Sequence, residues 1–229
     1  MTTSRAAAPF ATQLTSPPAV DERLATTIDK ACDRSAEGHD RLCPRQVLGV
    51  RLGLAIAREL GVSNVEGGKR LLLIAETDGC FVDGLQATTG CTVGHRTLRV
   101  VDYGRVAATG IEVETGRALR ASPAPGVRDR AATFAHGETR RYYAQLEGYR
   151  RMPDSDLLSV LPVELSFDLQ RLLGRKGIRV NCSRCGEEVL NGRELNVTGQ
   201  AICRGCATRS YYVSSPDVVT EPVGGARRE

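Results

Sequence analysis

The sequence predicts an α+β protein, with helices packed on a mainly antiparallel sheet and a small metal-binding module near the C-terminus. Three observations lead there. An unbroken apolar run, Leu71-Leu72-Leu73-Ile74-Ala75, is long enough for a buried strand and too short for a globular helix. Short strand-like runs separated by Tyr103-Gly104 and Thr115-Gly116 read as an antiparallel meander. Four cysteines follow as Cys182-x2-Cys185-x17-Cys203-x2-Cys206, a spacing suited to one structural zinc ion.

Taken in order, Met1 to Val20 is rich in Ala, Thr and Pro and is expected to be a disordered tail, 1–20. It carries one arginine and lacks an apolar stretch, so it does not read as a secretory signal. Asp21 to Ala36 forms an amphipathic helix with Leu24, Ile28, Ala31 and Cys32 on one face. A polar loop, Glu37 to Leu42, leads to Cys43-Pro44. Proline suits the first helical position, so a second helix runs from Pro44 to Leu60 and stops at Gly61. After the apolar strand a Thr77-Asp78-Gly79 corner turns the chain, and Phe81 to Thr89 is a short helix ended by Gly90. Cys43 and Cys80 thus both stand at helix starts, where free N–H groups and the positive helix end favour a thiolate. The bland alternative is a small core residue, since free cysteine is among the most buried types.

The strands expected are Thr97–Asp102, Arg105–Val113 and Arg117–Ala121. Val127 to Arg151 returns to a helical pattern with Phe134, Tyr142, Leu146 and Tyr149 pointing inward. Including Arg117 and Arg120, this region holds eight arginines against Asp129, Glu138 and Glu147. Pro153 ends the helix, Leu157 to Leu165 is a strand bounded by Pro162, and Phe167 to Gly174 a linker helix. The core therefore spans 21–170 and the four-cysteine module 176–213, with a second disordered tail at 214–229. Within the module, Val189-Leu190 and Leu195-Asn196-Val197 are expected to pair across an Asn191-Gly192 turn, and the last cysteine pair to open a short helix.

Composition narrows the function classes. At 229 residues, 41% hydrophobic and 25% charged, the chain is an ordinary globular one. No run approaches eighteen apolar residues, so no membrane span is expected. Of 31 basic residues only Lys30, Lys69 and Lys176 are lysine, so 28 are arginine, yet the net charge is only +4. With Trp absent and aromatics at 4%, stacking platforms for bases are missing, which argues against nucleic acid. Eight cysteines without an export signal point to the cytoplasm, where thiols serve as ligands or catalysts. Four sulfurs with no spare coordination place suit structure, with an iron–sulfur cluster as the rival to zinc. His39, Cys43, Cys80, Asp83 and Cys91 make a second, non-local constellation. One imidazole, two thiolates and water would give an open zinc centre. His95 and His136 have no such context and read as surface residues.

At these residues a resemblance appears. Gly38-His39-x-x-Leu42-Cys43-Pro44, followed by Leu48-Gly49-Val50-Arg51, resembles the His-Gly-His-Leu-Cys-Pro-Gly motif of the FmdE family, named for a component of formylmethanofuran dehydrogenase. Glu76-Thr77-Asp78-Gly79-Cys80-x-Val82-Asp83, Thr89-Gly90-Cys91-Thr92 and Asp102-Tyr103-Gly104 resemble its other hallmarks, in the same order. The match covers about Ala25 to Leu165. It implies an α+β core, usually a homodimer, with a cleft near the His and Cys positions and often an appended treble-clef zinc finger. His39 matches the first histidine of the motif, and Cys43 and Cys80 its cysteines. Arg41 and Arg45 stand where the family has a second histidine and a glycine.

The reading favoured is a metal-binding protein with structural zinc on Cys182, Cys185, Cys203 and Cys206. A second zinc or other transition metal would sit on His39, Cys43 and Cys80, with Asp83 and Cys91 as candidate catalytic groups. Whether that centre is a small-molecule enzyme or serves maturation of a molybdenum or tungsten redox enzyme, its partner, the sequence leaves open. Two alternatives stand beside it. The finger could be a regulatory or nucleic-acid-binding module, using the arginine-rich face. Cys43 or Cys80 could be a metal-free nucleophile with His39 as base.

Overall fold

The computed structural model describes residues 20–65, 67–173, 177–208 and 210–213. The tails expected at 1–20 and 214–229 lie outside these, Val20 excepted. The chain divides into two compact units, Met1–Ser166 and Phe167–Glu229.

In the first unit, α1 (Glu22–Ala36) begins where the Asp21 carboxylate accepts the Leu24 N–H at 2.8 Å. The second helix, α2 (Pro44–Leu60), has the bounds that its proline and glycine dictate, with Gly61 left-handed at φ 71°. Its start is tied down by Gln46. The Gln46 side chain accepts the Cys43 N–H at 2.7 Å and donates to the Ser35 carbonyl at the end of α1 at 2.6 Å. Then come β1 (Leu71–Ala75), α3 (Cys80–Thr89), β2 (Leu98–Val100), β3 (Ala108–Glu112) and β4 (Ala118–Pro123). A short helix α4 (Val127–Arg130) and a 3₁₀ turn (Ala131–Phe134) precede α5 (Arg141–Arg151), α6 (Asp154–Leu157) and the last strand, β5 (Leu158–Pro162).

The five strands form one sheet in the order β2-β1-β3-β4-β5. Three of the four pairings are antiparallel, but β2 runs parallel to β1, with Leu73 opposite Leu98. The expected meander is therefore corrected at its first strand. A hairpin cannot join parallel neighbours, and here α3 carries the chain back to the same end of the sheet. Tyr103-Gly104 then passes the chain across the end of β1 rather than pairing β2 with β3. The long helix expected over Val127–Arg151 is also broken, because His136 and Gly137 take left-handed φ values of 41° and 85°. Phe134, Tyr149 and, partly, Leu146 face the core as expected, whereas Tyr142 is exposed.

Helices α2, α3 and α1 build the core against the sheet through Ile28, Cys32, Val47, Leu52, Ile56, Leu73, Phe81 and Leu85, all without solvent exposure. Ile56 seats directly on Gly110 of β3, where a side chain would leave it no room. Several arginines of the basic region are spent inside the chain. Arg150 pairs with Asp29 at 2.6 Å, Arg151 with Glu147 at 3.0 Å and Arg140 with Glu138 at 3.0 Å.

Arg51 is buried outright, its side chain only 1% exposed. Its guanidinium donates to the Tyr149 carbonyl at 2.6 Å, the Met152 carbonyl at 2.7 Å and the Asp154 carboxylate at 2.6 Å. It therefore closes the C-terminal end of α5, where carbonyls lack helical partners, and rivets that end to α2. Despite the cost of burial, Arg51 and then Arg58 hold the Asp154 carboxyl below its ordinary pKa.

In the second unit, α7 (Leu169–Leu173) is followed by β6 (Arg179–Asn181), β7 (Glu188–Leu190), β8 (Leu195–Val197), β9 (Gln200–Ile202) and α8 (Arg204–Ala207). The hairpin expected between Val189-Leu190 and Leu195–Val197 is corrected. β7 pairs instead with β6, across the first cysteine pair, and β8 with β9. Two dipeptides, Asn191-Gly192 and Thr198-Gly199, have the positive φ values of tight hairpin turns. Only the second closes a hairpin. Knuckle, hairpin and helix follow one another in treble-clef order.

Replacing Arg51 with Met leaves the carbonyls of Tyr149, Arg150 and Met152 without its donors, and is expected to cost about 3–5 kcal/mol in urea unfolding. Arg58→Met, at a half-exposed partner of the same Asp154, should cost less than about 1 kcal/mol.

Candidate metal centre

The site forms where α2 and α3 begin. A side chain at Gly49 would fall on the Phe81 carbonyl oxygen, and one at Gly84 on the Gln46 carbonyl oxygen. At this crossing the two backbones touch, which only glycine permits. Gly53 repeats the contact one turn later, against the Thr88 hydroxyl. Since Gly49 and Gly84 each lie within two turns of their helix starts, the first turns are held side by side. Cys43, the N-cap of α2, and Cys80, the first residue of α3, consequently bring their Sγ atoms to 2.8 Å.

The corner before Cys80 is fixed by charge and by glycine. Glu76, beyond the end of β1, is buried, and Arg120 grips both its oxygens at 2.6 and 2.8 Å. Arg105 adds a third contact at 2.8 Å. The Arg120 hydrogen bonds hold the Glu76 carboxyl below its ordinary pKa against the opposing effect of burial. The Glu76 carbonyl accepts the Tyr103 N–H at 2.9 Å, and Asp102 accepts the Gly104 N–H at 2.8 Å. Gly79 then takes φ 75° and ψ −165°, a conformation closed to other residues, and α3 starts.

His39 and Asp83 form a second pair beside the thiols, Nε2 to Oδ2 at 3.0 Å, each a little over one third exposed. Asp83 reaches the loop because it lies one turn into α3. The structure thus brings Cys43 to Cys80 and His39 to Asp83. Among the described residues, no third Cys, His, Asp or Glu ligand atom lies within 4.8 Å of both sulfurs. Asp83 also lines a shallow, open depression on the surface, together with Arg34, Ser35, Glu37, Gln86 and Ala87.

Cys91 is placed elsewhere. It follows α3, whose ten residues span about 15 Å, so it stands at the far end from Cys80. Its thiol is buried, donates to the Leu71 carbonyl at 3.3 Å and accepts from Asn64 at 3.4 Å, and burial raises its pKa. Cys32 is likewise a core thiol, pushed up to about 11 by burial. His95 and His136 are exposed.

The thiolate expected at the start of α3 is not what its protein surroundings favour. Burial, and then the Cys43 thiol alongside, push Cys80 up to about 11, outweighing Arg45 and the Cys80 N–H. Two sulfurs so close cannot both ionise without a counter-charge.

Tyr142 belongs to the site and escaped the sequence reading. Its hydroxyl donates to the Leu42 carbonyl at 3.0 Å, bracing the loop between His39 and Cys43. Burial, with Cys43 and Cys80 adding to it, raises the phenol's pKa. The aromatic stood on a helical pattern 100 residues away from Leu42, and nothing local marked it as other than core.

In the second unit the ligand atoms of Cys182, Cys185, Cys203 and Cys206 all lie within 4.8 Å of one another. Backbone amides turn toward the sulfurs: Cys203 N–H to Cys182 at 3.2 Å, and Cys206 N–H to Cys203 at 3.3 Å. Amides at Cys203 and Cys185 pull the Cys182 thiol down to about 6, while the sulfurs of Cys203 and Cys185 push Cys206 up to about 12. Four thiols cannot all lose their protons unaided, and a dication is the charge that lets them. The set could hold one metal ion.

Three likenesses place the chain. It matches the family described as "FmdE, Molybdenum formylmethanofuran dehydrogenase operon" over residues 38–159. A protein of Archaeoglobus fulgidus named "Probable S-adenosyl-L-methionine-binding protein" is 34% identical over 90 residues. That stretch is 38% of this chain and 25% of the relative, so the chain spans only about a quarter of that protein's length. The crystal structure of a tungsten formylmethanofuran dehydrogenase FmdE-like protein from Syntrophus aciditrophicus has the same fold at a TM-score of 0.50. It is 22% identical, over 81% of this chain and 95% of that one.

Gly84→Ala should force α2 and α3 apart at a cost of about 1–3 kcal/mol. Phenylarsine oxide, which needs two adjacent thiols, should then no longer bind Cys43 and Cys80. Gly94→Ala, with open space around it, should leave both stability and arsenical binding unchanged.

Proposed function

The chain belongs to the FmdE family, and on that footing we propose that its core is a zinc centre held by Cys43, Cys80 and His39, serving small-molecule chemistry. The approach of two helix-start thiols to 2.8 Å carries this reading. The donor set suits the ion. Two thiolates and an imidazole are zinc ligands, and three protein ligands with one open place is the pattern of catalytic rather than structural sites. Asp83 occupies His39 Nε2 and leaves Nδ1 for the metal, the usual way a carboxylate orients a ligating imidazole. For Nδ1 to join both sulfurs the 38–42 loop must turn inward, and Gly38, at φ 83° with nothing packed on it, provides the pivot.

When bound, the ion supplies Lewis acidity and the positive charge that lets both thiols ionise. The chain's own residues do the rest. Asp83 fixes the imidazole and can take a proton from the ring. Tyr142 holds the loop. The finger's four cysteines take a second zinc ion whose work is structural, since only Cys182 and Ile202 are buried in that unit among the described residues. Homodimer formation is part of the same proposal. A second reading, an accessory role beside a molybdenum or tungsten redox enzyme, draws on the family's description. Among the described residues no helix is long and apolar enough to cross a membrane.

Metal analysis tests the centre. Protein purified with zinc should hold two ions per chain, and Cys43→Ser/Cys80→Ser one. Equal content in the two proteins would falsify the core site.

A further inference from the structure

Cys43 and Cys80 have a chemistry of their own, apart from any ion. Their sulfurs stand less than about 1 Å beyond the length of a disulfide bond. His39 is engaged with Asp83, and no third ligand atom among the described residues comes close to both sulfurs. Both thiols are half-buried, within reach of a small oxidant, whereas Cys32 and Cys91 are sealed in the core. The two helix starts that carry them are held side by side by backbone contact at Gly49 and Gly84.

We propose that Cys43 and Cys80 are a redox pair that a hydroperoxide closes into an intramolecular disulfide, switching off the metal centre. The switch rests on the zinc reading above; the disulfide does not. In the first step one thiolate attacks a peroxide oxygen, the O–O bond breaks, and hydroxide departs, leaving a sulfenic acid. In the second, the other sulfur attacks the sulfenic sulfur, the S–S bond forms, the S–O bond breaks, and water leaves. The proton that the first thiol gave up on ionising neutralises the hydroxide, and the second thiol's proton leaves with the sulfenic oxygen as water. With hydrogen peroxide, two thiols and one oxidant give one disulfide and two waters. Closing the bond would take both sulfurs from any ion that Cys43 and Cys80 held. A thiol reductant returns the two electrons and restores the site.

The experiment uses the full chain, reduced, in zinc-loaded and metal-free forms. Each is treated with one equivalent of hydrogen peroxide, alkylated under denaturing conditions and cleaved at arginine. Cys43 then lies in residues 42–45, and Cys80 in 71–96 together with Cys91, so fragmentation of the joined peptide assigns the bond. A 43–80 crosslink two hydrogens lighter than its parts is expected. Cys32 and Cys91 should be alkylated in full, and dithiothreitol should reverse the crosslink. In the loaded form one of two zinc ions should be released. Cys80→Ser should form no crosslink and should leave a Cys43 sulfenic acid that dimedone traps. Cys43 and Cys80 remaining unlinked, reduced or singly over-oxidised, while the finger cysteines react, overturns the proposal. A crosslink in a chain that never holds a second zinc ion leaves the redox pair standing and removes the metal centre instead.

Discussion

Two missing side chains hold the site together. At Gly49 and Gly84 the backbones of α2 and α3 meet, and any larger residue at either place would strike a carbonyl oxygen of the other helix. Close crossing is what lets two N-termini, 37 residues apart in sequence, present Cys43 and Cys80 at 2.8 Å. Dispersion and burial of Val47, Leu52, Phe81 and Leu85 supply the attraction; the glycines decide how near it can bring the helices.

Around this crossing, charge is used for positioning. Arg51 spends its donors on the end of α5 and on Asp154, and so orients α2 from its middle. Glu76, gripped by Arg120 and Arg105, sets the corner from which α3 departs. Arg51 and Glu76 belong to the stretches that resemble the family's motifs, yet neither touches the sulfurs; they fix where the helices point. Tyr142 and Asp83 both brace the His39 loop, one at the Leu42 carbonyl and the other at the His39 ring. Among the described residues of the second unit only Cys182 and Ile202 are buried, so it has little core of its own.

Much of this was legible in the sequence because it is local. Pro44 and Gly61 bound α2, Gly79 and Gly90 bound α3, and the unbroken run at 71–75 could be little else than a strand. The C-x2-C spacings picked out the four cysteines that the structure gathers within 4.8 Å of one another. What escaped is what spacing cannot encode. The position of β1 between β2 and β3 depends on a crossover, whereas the Tyr103-Gly104 turn looks the same in a hairpin. Asn191-Gly192 and Thr198-Gly199 offer equivalent turns, and which one closes a hairpin depends on where the cysteine knuckle starts. Cys91 shares its neighbourhood in sequence with Cys80 but not in space, since a whole helix separates them. The pKa of Cys80 turned on burial first, and then on a thiol from another helix, rather than on its own helix start.

Anomalous diffraction from crystals of the zinc-loaded protein, recorded on both sides of the zinc edge, addresses the central claim most directly. The account predicts two peaks per chain, one amid the finger cysteines and one about 2.3 Å from the Sγ atoms of both Cys43 and Cys80. A single peak in the finger, with Cys43 and Cys80 turned into separate apolar surroundings, would contradict it.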